Sequence, residues 1–123
     1  MSLEESFSEL VCLLNQHSLI VQVDVISEQI INAEGYIRLT AKFINGNELH
    51  VFEYRVVDDV QKYAYHLQNS GGKLIFRYDN RAHHPEVETF PHHKHLAESP
   101  QPKPSQKPSV KSLLVEASRY VKS

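Results

Sequence analysis

Between Leu19 and Asp79 the apolar residues fall on alternate positions, and glycine-containing turns separate the runs, which is the pattern of antiparallel strands. Leu19, Val21, Val23 and Val25 alternate with Gln22 and Asp24, and Ile37, Leu39, Ala41 and Phe43 alternate with Tyr36, Arg38, Thr40 and Lys42. Asn45-Gly46 then predicts a two-residue type I′ hairpin, because both central positions of that turn need positive φ. With Ile44 opposite Asn47, the turn pairs Leu39 with Phe52 and Ile37 with Tyr54 on an oily face. It sets Arg38 against Glu53 and Tyr36 against Arg55 on a polar face. A second hairpin joins Lys62–Asn69 to Lys73–Asp79 through Ser70-Gly71-Gly72. There Tyr63, Tyr65 and Leu67 share a face with Leu74, Phe76 and Tyr78, while His66 and Gln68 share the other with Ile75, Arg77 and Asp79.

The flanking segments change period. Ser2-Leu3-Glu4-Glu5 has the form of a capping box, and Leu3, Phe7, Leu10, Val11 and Leu14 follow at helical spacing, so an amphipathic helix is predicted over 3–15. Past Asp79 the periodicity stops, with Pro85 and Pro91 as breakers. The stretch ESPQPKPSQKPS at 98–109 holds four prolines and no apolar anchor, the composition of an extended linker. Ser109 can cap a last short helix with Val110, Leu113, Leu114, Ala117 and Val121 on one stripe. The expected architecture is α+β: an antiparallel β-meander of about five strands, an N-terminal helix on its apolar face, a histidine-rich loop and a C-terminal helix after the linker. The expected division is a folded α+β domain over 1–97, a linker over 98–109 and a helix over 110–123. That last helix is free to dock on its own subunit or on a partner, including a second copy in a homodimer.

A chain of 123 residues supports one modest core. Its apolar runs, LVCLL at 10–14 and LIV at 19–21, fall far short of the roughly 20 residues a membrane helix needs, and no signal-peptide pattern opens it. Cys12 has no second cysteine to pair with, which excludes an internal disulfide and a cysteine-rich zinc site; a cytoplasmic location is expected. Charge is uneven. Residues 1–72 carry four basic and ten acidic side chains, whereas 73–123 carry nine basic and five acidic. A basic half suits a polyanion.

Five of the eight histidines lie between His83 and His95. Imidazole, with an ordinary pKa of about 6.5, exchanges a proton readily at neutral pH, and arginine offers a fixed fork of donors to phosphate oxygens. Arg38, Glu53, Arg55, His66, Arg77 and Asp79, all expected on the polar face, could therefore support metal-free cleavage of RNA. Metal binding is the rival chemistry: His93 and His95 could ligate from one side of an extended segment, with His83 and His84 or Glu86 completing the site. Lys94 between them adds repulsion. A solvated polar surface is the third reading.

The strings VFEYRV, YAYHLQ, LIFRYDN and HHPEVETFPHHKH, within residues 15–97, resemble the motifs of the TumE family of toxins. The resemblance implies the toxin half of a type II toxin–antitoxin pair, acting on RNA as a ribonuclease, with a helix-turn-helix antitoxin as partner and no cofactor. On the matching positions, His66 with one of His84, His92, His93 or His95 is expected to do acid–base work, and Arg77 to bind phosphate. Glu53 is expected to orient His66, and Arg38, Asp79, Asn80 and Lys94 to bind substrate. Leu67 and Tyr78 stand where the family commonly has tryptophan, and Arg81-Ala82 where Ala-Pro is common. A metal-binding hydrolase and a non-catalytic RNA- or protein-binding module remain the alternatives.

Overall fold

The structure, a computed structural model, describes residues 2–82 and 85–121. Helix α1 (Leu3–Asn15) starts on the expected capping box: Glu5 N–H donates to Ser2 Oγ at 3.1 Å and Ser2 N–H to Glu5 Oε1 at 3.4 Å. Its Leu3, Phe7, Leu10 and Leu14 are buried. The chain continues as β1 (Ile20–Ile31), β2 (Glu34–Phe43), β3 (Glu48–Val56), β4 (Asp59–Gln68), β5 (Leu74–Asp79), β6 (His93–Leu96) and β7 (Ser99–Pro104), and then α2 (Val110–Ser118). The strands form one antiparallel sheet in sequence order. Among the described residues no helix is long and apolar enough to cross a membrane.

Seven strands replace the expected five, and the two additional ones come from the histidine segment and the proline-rich stretch. Successive residues of a strand point their N–H groups to opposite edges. Pro100, Pro102 and Pro104 are spaced by two, so their missing donors fall on one side. That side can be the outer edge, which leaves the alternate residues to pair with β6. Position 94 lies opposite 103 and 96 opposite 99.

The first hairpin corrects the expected register. Gly46 N–H donates to Phe43 O at 2.9 Å and Phe43 N–H to Asn47 O at 2.8 Å, which closes a three-residue loop with Gly46 at φ +93°. This is a type I turn ending in a left-handed glycine, in place of the two-residue type I′ turn. The extra residue shifts the pairing by one, so Ile37 lies opposite Glu53, Arg38 opposite Phe52 and Leu39 opposite Val51. Glu53 and Arg55 therefore join the helix-covered face, and His50, Phe52 and Tyr54 take the open one. The second hairpin uses the same kind of loop, with Gly72 at φ +85°. Here a bulge at the start of β5 absorbs the extra residue, and the expected faces hold: Tyr65 opposite Tyr78, His66 opposite Arg77, Leu67 opposite Phe76.

One core lies between the sheet and both helices, built from Leu10 and Leu14 of α1, Leu39, Val51, Tyr65, Leu67 and Phe76 of the sheet, and Leu113, Leu114 and Ala117 of α2. The apolar stripe of α2 thus packs within its own chain. Glu116 fastens it further, accepting from Tyr78 Oη at 2.5 Å and from Lys94 Nζ at 2.6 Å. Past the helix, the Nδ2 groups of Asn45 and Asn47 donate to Tyr120 O at 3.1 and 3.2 Å.

Candidate functional site

The open face of the sheet holds a cleft of about 970 Å³. Its floor comes from outward positions of four successive strands: Arg38 and Thr40 on β2, His50 and Phe52 on β3, His66 on β4 and Arg77 on β5. Asn80, Arg81, Phe90 and Pro91 form one wall. Alternation puts these side chains on one side, and the antiparallel registers align them. His50 pairs with His66, and His66 with Arg77. The two imidazole rings stand edge to face with centroids 5.9 Å apart.

Each group is held in place. Arg77 Nη1 donates to His66 Nδ1 at 3.4 Å, so that nitrogen is the acceptor, and His66 Nε2–H donates to Gln68 Oε1 at 3.1 Å. Burial first, and then the Arg77 charge, hold the His66 pKa below the ordinary histidine value. A neutral imidazole beside a guanidinium results. His50 donates through Nε2 to Glu48 Oε1 at 3.1 Å, and its Nδ1 lies 3.3 Å from Thr40 Oγ1. Arg38 stacks its guanidinium 4.3 Å above the Phe52 ring.

Behind Arg77 lies a second layer. Arg77 Nε donates to Asp79 Oδ2 at 3.0 Å, and Asp79 Oδ1 accepts from Arg81 N–H at 3.1 Å and faces His93 Nε2 at 2.8 Å. His93 Nδ1 donates to Pro91 O at 2.9 Å. His95 lies opposite Arg77 on β6, its ring 4.8 Å from that of His93. Residues 93–96 thus extend the sheet sideways beyond β5. Asp79, His93 and His95 bring ligand atoms within 4.8 Å of one another, the one such group of three among the described residues. A cation there would have to displace hydrogen bonds that Asp79 and His93 already make.

Of the other expected site residues, only Asn80 lines the cleft among the described residues. Asn80 lines the cleft and also extends the β4–β5 pairing, accepting from Tyr63 N–H at 3.1 Å and donating to Gln61 O at 2.9 Å. Lys94 points to the helix-covered face, where it meets Glu116. His92 stacks on Tyr63 and hydrogen-bonds its hydroxyl at 2.9 Å. His84, with His83, lies outside the described residues. Glu53 departs furthest from expectation. It is 1% exposed beneath the helices, accepting from Arg55 at 2.6 Å and from the Tyr65 hydroxyl, whose pKa is raised by burial and by the Glu53 charge. It lies on the side of the sheet opposite His66 and does not face Arg38.

His50 and Phe52 were missed by sequence reasoning, and both misses follow from the one-residue register. Leu49 and Val51 flank His50 and are buried, so their alternation alone turns His50 outward.

The sequence model of a family described as Toxin TumE matches residues 10–123. No curated protein and no solved structure matches the chain.

Proposed function

Since the chain belongs to the TumE toxin family, we propose that it is a toxin that cleaves RNA by metal-independent acid–base chemistry in the open-face cleft. The observation that carries this reading is His66 Nδ1 beside the Arg77 guanidinium at 3.4 Å, with a second imidazole, His50, across the strand pair. In RNA a 2′-hydroxyl adjoins the phosphate it attacks. A phosphate oxygen on Arg77 therefore brings that hydroxyl to His66. His66 takes the hydroxyl proton as the 2′-oxygen bonds to phosphorus. His50, in its protonated form, gives a proton to the 5′-oxygen as the P–O5′ bond breaks, leaving a 2′,3′-cyclic phosphate and a 5′-hydroxyl. Arg77 and Arg38 stabilise the charge that develops on the phosphoryl oxygens. Asp79 and His93 hold Arg77 in position. A helix-turn-helix antitoxin is the partner that this reading requires.

The test uses purified protein, an RNA oligonucleotide and its all-deoxy counterpart, in excess chelator. Cleavage of the RNA alone, with a cyclic phosphate end and loss on His66→Ala, is the expected result. Cleavage of both oligonucleotides, or equal growth arrest by wild type and His66→Ala with cellular RNA intact, would overturn it. The arrangement of Asp79, His93 and His95 favours a second reading, a metal-assisted hydrolase. Activity abolished by chelator and restored by a divalent cation would select that reading.

A further inference from the structure

The open face is ordered in rows that run across the strands. One row holds Thr40, His50, His66 and Arg77. The adjacent row holds Arg38, Phe52, Ala64, Asp79 and His93. Ala64 is the one small side chain of that second row, and it is only half-buried. Its methyl leaves a recess in the floor of the cleft, between Phe52 and the wall of Asn80, Phe90 and Pro91. Arg38 lies over one face of the Phe52 ring, 4.3 Å from its centroid, and belongs to the strand on the side away from Ala64. Toward Ala64 the paired residue contributes only a methyl group. Phe52 is half-buried and outside the core, and Phe90 is 43% exposed, so both rings meet the opening.

The rest of the lining decides what fills such a recess. Arg38, Lys62, Arg77 and Arg81 line the cleft, and among the described residues no aspartate or glutamate does. A cationic ligand is repelled there, and an uncharged apolar one leaves those cations unmatched. At about 970 Å³ the cleft stands near the top of the roughly 300–1,000 Å³ range of ligand pockets. A single phosphate at Arg77 leaves most of it empty. Basic groups interleaved with accessible aromatic rings suit a single-stranded nucleic acid, whose phosphates need charge and whose bases need a flat apolar partner. Neighbouring rows on one face lie two residues apart along a strand, about 7 Å. A nucleotide spans a comparable distance from its phosphate, across the sugar, to its base. We propose that the Ala64 recess is a subsite for one unpaired base of the RNA, stacked against Phe52 while the adjoining phosphate sits at Arg77. The subsite presupposes that RNA enters this cleft, as the ribonuclease reading requires, and it narrows the substrate class to single strands. In a duplex the bases are paired and stacked on one another, and none is free to enter.

The test uses the full chain and two short 2′-O-methyl RNA strands of equal length and charge, one bearing bases and the other abasic throughout. Neither has a free 2′-hydroxyl, so neither is cut by the proposed chemistry, and fluorescence anisotropy gives the affinities. The base-bearing strand should bind about 5–150-fold tighter than the abasic one, the range that stacking of one base gives. Phe52→Leu and, separately, Ala64→Leu, which fills the recess, should bring that ratio close to one without weakening the abasic strand. Phe52→Tyr should keep it. Annealed to its complement, the base-bearing strand should bind wild type and Phe52→Leu equally. Equal binding of both strands by wild type, or a ratio unchanged in both leucine variants, would overturn the proposal. So would an equal loss of affinity for both strands in those variants, which would make Phe52 and Ala64 structural. Cleavage of RNA without any preference for bases would remove the subsite alone. A Phe52-dependent preference without cleavage would keep the subsite and remove the nuclease.

Discussion

Two carboxylates are buried in this sheet, one on each face, and their donors differ in what else they touch. Glu53, under the helices, is 1% exposed, and its partner Arg55 also reaches Asp58 at 3.2 Å. Asp58 in turn accepts from Ser6 of α1 at 2.5 Å. This chain of contacts ties helix to sheet and reaches the surface at Asp58, away from the cleft. Asp79, toward the open face, is 2% exposed, and one of its partners, Arg77, lines the cleft. A buried acid whose partners lead away from the cleft is structural. One whose partner faces an opening can position a reacting group.

The contrast can be broken from either side. The largest effect is expected from His66→Ala, which should lower RNA cleavage by about 10²–10⁴-fold while leaving the urea midpoint nearly unchanged. A midpoint shift as large as the activity loss would make His66 structural. Glu53→Ala should do the reverse. Leaving the Arg55 guanidinium with only exposed Asp58 to pair with costs up to about 3–5 kcal/mol in urea unfolding, with cleavage per folded molecule retained. Loss of activity without loss of stability would return Glu53 to the site. Asp79→Asn sharpens the comparison because it touches both properties. It should destabilise by about 1–3 kcal/mol and also weaken cleavage, read from denaturation and rate measurements on one preparation.

A smaller effect concerns pH. Burial and Arg77 lower the His66 pKa, so the acid limb of the rate profile should lie below about 6.5. Arg77→Gln removes the neighbouring charge and should move that limb upward, apart from any fall in the maximal rate. The same shift bears on folding. Below pH about 6.5 the unfolded chain binds the proton more readily than the folded one. The contribution of His66 to stability is therefore full above that pH and is lost as pH falls toward the folded-state value.

Much of this was legible in the sequence, for reasons that are local. The capping box Ser2–Glu5 and the spacing of Phe7, Leu10 and Leu14 needed no tertiary information, and the second hairpin kept its faces because a bulge offset its three-residue loop. The first hairpin failed because Asn45-Gly46 suits two loops that differ by one residue, and no bulge compensates. Within VFEYRV, Phe52 and Tyr54 look like the inward set. Glu53 and Arg55 take their place because they neutralise each other and Tyr65 donates from the next strand. Such partners cannot be read from alternation. The short strand β7 was hidden by prolines that an edge accommodates and a sheet centre would not.

The order of the strands has a last consequence, for how the molecule meets a polyanion. Adjacent strands lie about 4.8 Å apart, so the two edges are separated by up to roughly 30 Å, several times the Debye length of about 8 Å in physiological salt. Asp24 and Glu28 on β1 and Lys103 on β7 are therefore screened from each other. The formal charge of −2 describes neither end. On the proposed reading, the field of an RNA at low salt would exert a torque on this separated charge and turn the β7 edge toward the RNA before contact. As salt rises that torque fades, leaving only the short-range pull of the groups around the cleft.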